Sequence, residues 1–426
     1  MVSLIAEPPW LATIREKARD RYSHLDWPTP QEEEWRRTDL SDIAFDSYAA
    51  DINGLLKNSR TTDAPEIDLE STAGFIRFRN NTLQSLVLKP QWKKKGIRLL
   101  SLHEGVQSPS PEIGPPLKVL LERSGQTIDN RILAWHHSVW DYGVYLYVPP
   151  FVEVPDPFVF DFTMLGEKHL SVPRVLVHLE QGARAVVIQK LWEPKQSEVL
   201  CNSGVHLMVR EAAALDFVSV QDLGFRSLFF SHGEASVQRD GQLNTFEALF
   251  GARLSKTRLD CSLEGPGGDV RLNGLFFARG KQHMDIRSIQ RHRAPQTNSR
   301  AFYKGAVKDS ARTIYQGLIE VSPEAAKTDA YLTNRNLILN SGARADSIPS
   351  LKIDTNDVRC SHGSTTGRLN PEEVFYLMSR GLDRPEAERL LIGGFFEESL
   401  QLVPTAAAET IRRLVQERLK SQADHG

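Results

Sequence analysis

From about residue 151 to residue 368 the chain is a succession of brief β-type runs with no long helical period between them. Leu176-Val177-His178-Leu179, Val205-His206-Leu207-Met208-Val209, Phe217-Val218-Ser219-Val220 and Leu275-Phe276-Phe277-Ala278 belong to this series, and Gly, Asn or Asp separates many of its members. A weak echo runs through the same region as Gly182-Ala183-Arg184-Ala185, Gly251-Ala252-Arg253-Leu254 and Gly342-Ala343-Arg344-Ala345, with a looser copy at Ser310-Ala311-Arg312. The spacings of the first three copies are close to multiples of roughly 23 residues, the unit that one coil of a parallel β-helix would leave in a sequence. One coil cannot bury its inward face alone, so coils must stack. A β-sandwich with coincidental echoes is the competing reading.

The flanks differ from this core. Residues 1–150 mix helical and irregular signals: Pro8-Pro9 leads into Trp10, Leu11, Ile14 and Ala18 at helical spacing, and Pro28-Thr29-Pro30-Gln31-Glu32-Glu33-Glu34-Trp35 reads as a capped helix start. Leu86-Val87-Leu88 and Val144-Tyr145-Leu146-Tyr147-Val148 read as strands. Residues 369–426 are helical. Asn370-Pro371-Glu372-Glu373 supplies a cap, a proline in the first turn and early acids, with Leu369 and Val374 placed as a staple; Gly381 can end that helix. Asp383 caps the next, which carries Leu390, Leu391, Ile392, Phe395 and Phe396. A last helix is expected over about Thr405 to Ala423. Phe395-Phe396 beside Glu397-Glu398 reads first as packing onto the β-region, and second as a partner-docking groove.

Length and composition narrow the function classes. A chain of 426 residues with a formal net charge of −2 has room for a large core and no global pull toward nucleic acid or anionic membrane. Lys93-Lys94-Lys95 reads as a solvated loop or edge guard. No apolar stretch reaches membrane-spanning length, and the N-terminus does not look like a signal peptide. Cys201, Cys261 and Cys360 are odd in number and far apart, which argues for a reducing, cytoplasmic setting rather than a disulfide framework.

The chain lacks a Walker A pattern, CxxC, HExxH and GxSxG, and Gly265-Pro266-Gly267-Gly268 reads as a tight turn. Cys201 and Cys261 read as small buried hydrophobes. His136-His137 and His292 are polar residues without assignable partners. Cys360 and His362 differ, because residues i and i+2 of a strand point to one face. A soft sulfur and a borderline nitrogen side by side suit iron, iron–sulfur species or zinc. They are half a metal site, and the alternative is a satisfied edge-strand pair.

At this segment the chain resembles the SufB/SufD family of iron–sulfur cluster assembly proteins, and more closely its SufD branch. The resemblance runs in order through Thr328-Asp329-Ala330-Tyr331, Asn334-Arg335-Asn336-Leu337, Ala345-Asp346-Ser347-Ile348-Pro349, Asp357-Val358-Arg359-Cys360-Ser361-His362-Gly363, Phe375-Tyr376-Leu377-Met378-Ser379-Arg380-Gly381 and Leu391-Ile392-Gly393-Gly394-Phe395. Upstream, Glu34-Trp35-Arg36-Arg37-Thr38-Asp39-Leu40 looks like the SufD-type N-terminal signature. Gly363 stands where SufB-type proteins usually carry glutamate, and Gly367 and the cysteine-free N-terminal region also favour SufD.

The resemblance implies a mainly β fold, a right-handed parallel β-helix core (151–368) flanked by N-terminal (1–150) and C-terminal (369–426) helical regions. It implies a non-catalytic scaffold of a SufBCD-type complex, paired with a SufB-type subunit through the β-helices and docking a SufC-type ATPase on the C-terminal helices. Cys360 and His362 would then face the partner subunit, where a transient iron–sulfur cluster or iron is completed by the partner's ligands. FADH2 would belong to the assembled complex alone, and no residue of this chain is singled out for it. Two other readings stand beside this one. A SufB-like main scaffold acting as a homodimer needs a nearby carboxylate or extra thiol, and Gly363 counts against it. A β-helix enzyme acting on polysaccharide needs secretion and a groove of carboxylates or arginines.

Overall fold

The fold is that of a computed structural model, which describes residues 7–49, 70–124, 128–194 and 197–420. Its centre is a parallel β-solenoid. The first sheet runs from Thr82–Leu88 and Gly74–Arg79 through Phe158–Thr163, Arg184–Trp192, Ala214–Asp222, Gln242–Leu249, Asp269–Ala278, Asn298–Val307 and Thr328–Ile338 to Val358–Arg368. The second runs from Arg98–Ser101 through Tyr142–Val148, Pro173–Leu179, Glu198–Val209, Leu228–Val237, Leu254–Leu263, His283–His292 and Arg312–Val321 to Arg344–Ile353. From Arg184 onward successive strands alternate between the sheets, so the chain winds around a lumen and each strand pairs in parallel with the one a full coil away.

The coil is longer than the echo suggested. Side chains bonded between adjacent coils lie 29 residues apart for Asn273 and Asn244, 30 for Gln189 and Ser219, and 31 between Asn334 and the Tyr303 carbonyl. The Gly-Ala-Arg copies open strands of both sheets, so they mark corners rather than whole coils. Each corner turns an alanine inward. Ala183, Ala252 and Ala311 are fully buried and Ala343 nearly so.

Strand alternation divides the core. Val187, Phe217, Leu249, Cys261, Phe276, Tyr303 and Leu332 fill the lumen. On the outer face of the first sheet, Val218, Phe246, Phe250, Leu275 and Phe277 pack against Ile392, Phe396, Leu400 and Ile411 of the C-terminal helices. On the outer face of the second, Tyr145, Leu176 and Met208 meet Leu11, Leu117 and Leu121 of the N-terminal helices Pro9–His24 and Gly114–Ser124.

The C-terminal helices begin as their caps dictate. Asn370 accepts from the Glu372 amide ahead of Pro371–Ser379, and Asp383 and Glu386 close a capping box on Arg384–Leu400. Gly381 takes φ +98 between them. The last helix is Thr405–Lys420, and the expected end at Ala423 lies outside the described residues.

The expected helix near Pro28 is absent. Residues 30–37 form consecutive turns in which the amides of Glu32, Trp35 and Thr38 bond three residues back to Thr29, Glu32 and Trp35. The Glu34 carbonyl instead accepts from Lys256 and Gln316 of the second sheet. Tertiary partners take up the backbone groups that a helix would have used.

Candidate functional site

The terminal strand Val358–Arg368 carries the segment that drew attention in the sequence. It lies in parallel register on Thr328–Ile338, with Cys360 opposite Ala330 and His362 opposite Leu332. Ala330 and Leu332 are fully buried in the lumen core, so the strand's alternation turns Cys360 and His362 toward the lumen side as well. Cys360 is half-buried and packs against that core, while His362 is exposed. The expected same-face placement is present.

The pair stands at an open end. Val358–Arg368 and Arg344–Ile353 are the last strands of their sheets, and neither has a further strand on its outer side among the described residues. The matching inward positions of Arg344–Ile353 include Ser347, Pro349 and Leu351, with Leu351 39% and Ile353 36% exposed. Apolar side chains and unpaired edge backbone together make this end a template for another sheet.

Burial pushes the Cys360 thiol above its ordinary value; a hydrogen bond to the Ala330 backbone works against that, and the nearby Asp329 charge adds to it. The thiol therefore needs a cation to hold it as thiolate. Among the described residues no group of three His, Cys, Asp or Glu side chains could hold a metal ion. Gly363 keeps the outer side of the strand open: a Cβ there would lie 2.9 Å from the Tyr331 hydroxyl. A larger side chain at 363 would have to displace Tyr331.

Cys201 and Cys261 are fully buried in the lumen, and burial raises both thiols far above their ordinary range, as fits apolar packing residues. The polar residues left without partners in the sequence have them here. His136 Nδ1 meets the Asn202 carbonyl at 2.9 Å, His137 Nδ1 accepts from Arg174, and His292 is held between Thr297 and Ser299.

Phe395 and Phe396 pack rather than dock. Phe396 is fully buried, and Lys304 Nζ sits 4.7 Å from the Phe395 ring centroid while bonding its carbonyl. The exposed apolar surface lies on Pro371–Ser379 instead, where Phe375 is 72% and Tyr376 57% exposed, with Met378 beside them. Leu390 on the next helix is 57% exposed. Sequence periodicity could not separate these from the buried aromatics, because it gives no indication of which helix face meets the sheet.

The N-terminal signature is a clasp. Trp35 is buried under Lys256, and Glu34 pairs with Arg258 and Arg287. No described helix is long and apolar enough to cross a membrane.

Residues 162–395 match the family model described as SUF system FeS cluster assembly, SufBD core domain. An iron-sulfur cluster assembly SufBD family protein of Mycobacterium tuberculosis is 31% identical over 304 residues, covering 70% of this chain and 74% of that protein. A SufBD family protein of Mycobacterium leprae is 36% identical over 219 residues, 50% of this chain and 55% of that one. The iron-sulfur cluster assembly protein SufD of Escherichia coli is 30% identical over 244 residues, 57% of this chain. The chain spans 55% of the length of that SufD.

Proposed function

The chain belongs to the SufB/SufD family of the SUF system for iron–sulfur cluster assembly and is SufD-like, and from that premise we propose that it is a non-catalytic scaffold subunit whose solenoid end, with Cys360 and His362, is completed by a SufB-type partner. The observation that carries this reading is the position of the pair. A thiol and an imidazole share the lumen side of the last strand, at an end where both sheets present unpaired edges. A partner sheet that continued the solenoid would bring its own side chains opposite them. The cluster is cargo, assembled between two chains and passed on, which accounts for a partial ligand set in one of them.

The exposed Phe375, Tyr376 and Met378 support docking of a SufC-type ATPase on the C-terminal helices, where aromatic and methionine side chains favour a protein interface. In this reading the chain works in the cytoplasm.

The test is anaerobic co-expression with SufB- and SufC-type subunits, with iron and sulfide measured on the purified complex. The expected result is a stable complex that loses bound iron and sulfide in His362→Ala and falls apart in Leu351→Arg. Full iron and sulfide content in His362→Ala would reject the ligand role. A chain that stays alone under every condition would reject the scaffold. Reconstitution of the isolated chain to a stable, stoichiometric cluster would favour the homodimeric scaffold instead.

A further inference from the structure

The solenoid lumen is largely apolar, with polar side chains in places, and one of its polar stretches spans the coils from Gln189 to Glu247. On the first sheet Gln189, Ser219 and Glu247 are register partners in successive coils, and on the second Ser203, Ser231 and Thr257 are likewise. Their i±2 neighbours Val187, Leu191, Phe217, Leu249, Cys201, Val205 and Phe229 all lie in the lumen core, so alternation aims the six polar side chains inward. The two ladders meet where Thr257 Oγ1 donates to Glu247 Oε2 at 3.1 Å. Gln189 Nε2 donates to Ser219 Oγ at 3.4 Å.

Protein groups alone do not complete this region. Ser203 Oγ, Gln189 Oε1 and Thr245 Oγ1 are buried without a hydrogen-bond partner, a state that costs about 1–3 kcal/mol per group. Ser219 and Glu247 keep water-accessible surface although they point into the lumen. Orphaned polar atoms with room beside them are the conditions under which proteins enclose water.

The stretch is shut off toward the open end of the solenoid. Gly274 separates Glu247 from Tyr303 in the register, and a Cβ at 274 would lie 2.3 Å from the Tyr303 ring. That ring packs on Tyr315 with centroids 4.7 Å apart, and the Tyr315 hydroxyl is fixed by Ser288 at 2.7 Å.

We propose that the lumen encloses a hydrated proton-binding site, with the Glu247 carboxyl group as its acid and the two polar ladders as hydrogen-bond partners of the enclosed water. The titratable groups that interact with Glu247 from the packed strands are Tyr303 and Tyr315, both neutral when protonated. The cations beside Thr257 point the other way, Lys256 to Asp285 and Arg258 to Glu34. With no cation among the described residues to balance it, burial pushes the carboxyl up to about 7. The folded state therefore holds a proton that the unfolded chain releases above the ordinary glutamate range. The contribution of Glu247 to stability falls as pH rises through that window and levels off above about 7.

The test compares wild type with Glu247→Gln, an amide of the same shape as the neutral acid. Urea unfolding is measured from about pH 5 to about pH 8, with infrared spectra in the carboxylic-acid carbonyl region. The expected result is a protonated-carboxyl band in the wild-type minus variant difference spectrum at pH 6, lost on raising the pH; Glu193 and Asp141, which burial also raises, cancel in that difference. The variant is expected to gain stability over the wild type as pH rises to about 7, with a constant difference beyond. Taking the difference removes the buried histidines, whose linkage runs in the opposite direction. A difference spectrum without the band, or a stability difference independent of pH, overturns the proposal. Wild-type stability that depends on K⁺ or Na⁺ and loses that dependence in the variant also overturns it, assigning the site to a metal cation. Should the variant fail to fold, Thr257→Val, which removes the donor to the carboxylate, takes its place: part of the band is then expected to persist to higher pH than in the wild type, and an unshifted band overturns the proposal.

Discussion

Lys256 Nζ lies 2.8 Å from Asp285 Oδ2, and the two side chains are 4% and 0% exposed. This buried pair is where the N-terminal segment fastens to the solenoid. Thr38 Oγ1 donates to the same Asp285 oxygen at 2.6 Å, and Gln316 Nε2 donates to the other at 3.1 Å. Because the Thr38 proton is committed to Asp285, its oxygen accepts from His283 Nε2 at 3.0 Å. Lys256 also donates to the Glu34 carbonyl and lies over the Trp35 ring. A buried ion pair is sustained only when its remaining hydrogen bonds are met, and here residues more than 200 positions apart in sequence meet them.

Removing one partner of that pair is expected to cost far more than removing its satellite. Asp285→Ala leaves Lys256 buried and uncompensated, a loss of about 3–5 kcal/mol. Thr38→Val removes the donor to Asp285 and the acceptor for His283 but leaves the carboxylate with two other donors, a loss of about 1–3 kcal/mol. Urea unfolding checks both, and equal losses would show that the clasp does not depend on the charge pair.

Acid is expected to loosen the fold before the carboxylates titrate. Burial holds His206, His283 and His292 down to about 4, and the Arg174 charge adds to this at His206. Their folded values lie below the unfolded one, so the stability is present above about pH 6.5 and is lost as pH falls toward 4. Each histidine contributes a slope of up to about 1.4 kcal/mol per pH unit. His292→Gln should flatten the curve by at most one such slope, read as the urea midpoint at successive pH values.

Iron retention by the assembled complex is expected to weaken as pH falls, because Cys360 must lose a proton from a thiol that burial has already made reluctant to ionise. Cys360→Ser should leave the melting temperature within about 0.5 kcal/mol equivalent of wild type, since the site is at the rim of the core. Metal analysis at stepped pH tests the first point and calorimetry the second. A pH-independent iron content would remove the thiolate from the ligand set.

The C-terminal aromatics should divide into two classes. Phe396→Ala empties a fully buried position and is expected to cost about 3–5 kcal/mol. Phe375→Asp alters an exposed ring and should leave stability nearly unchanged while abolishing capture of the SufC-type ATPase. Pull-down with thermal melts on both variants distinguishes them; ATPase capture that survives Phe375→Asp would move the docking surface elsewhere.

Local chemistry determined much of this protein in the sequence alone. The strands follow from short apolar runs between turn residues, the helix starts at Asn370 and Asp383 from capping groups a few positions away, and the shared face of Cys360 and His362 from strand alternation. The tertiary structure decided what depends on distant partners. It set the coil length, because that is fixed by stacking and not by the corner alanines. It turned the Pro28 segment into turns, because Lys256 and Gln316 claim the Glu34 carbonyl. It chose which aromatics of the C-terminal helices are buried, and it brought Glu247 opposite Thr257 across the lumen. In each case the deciding interaction joins groups that no local pattern relates, and the solenoid's winding places them together.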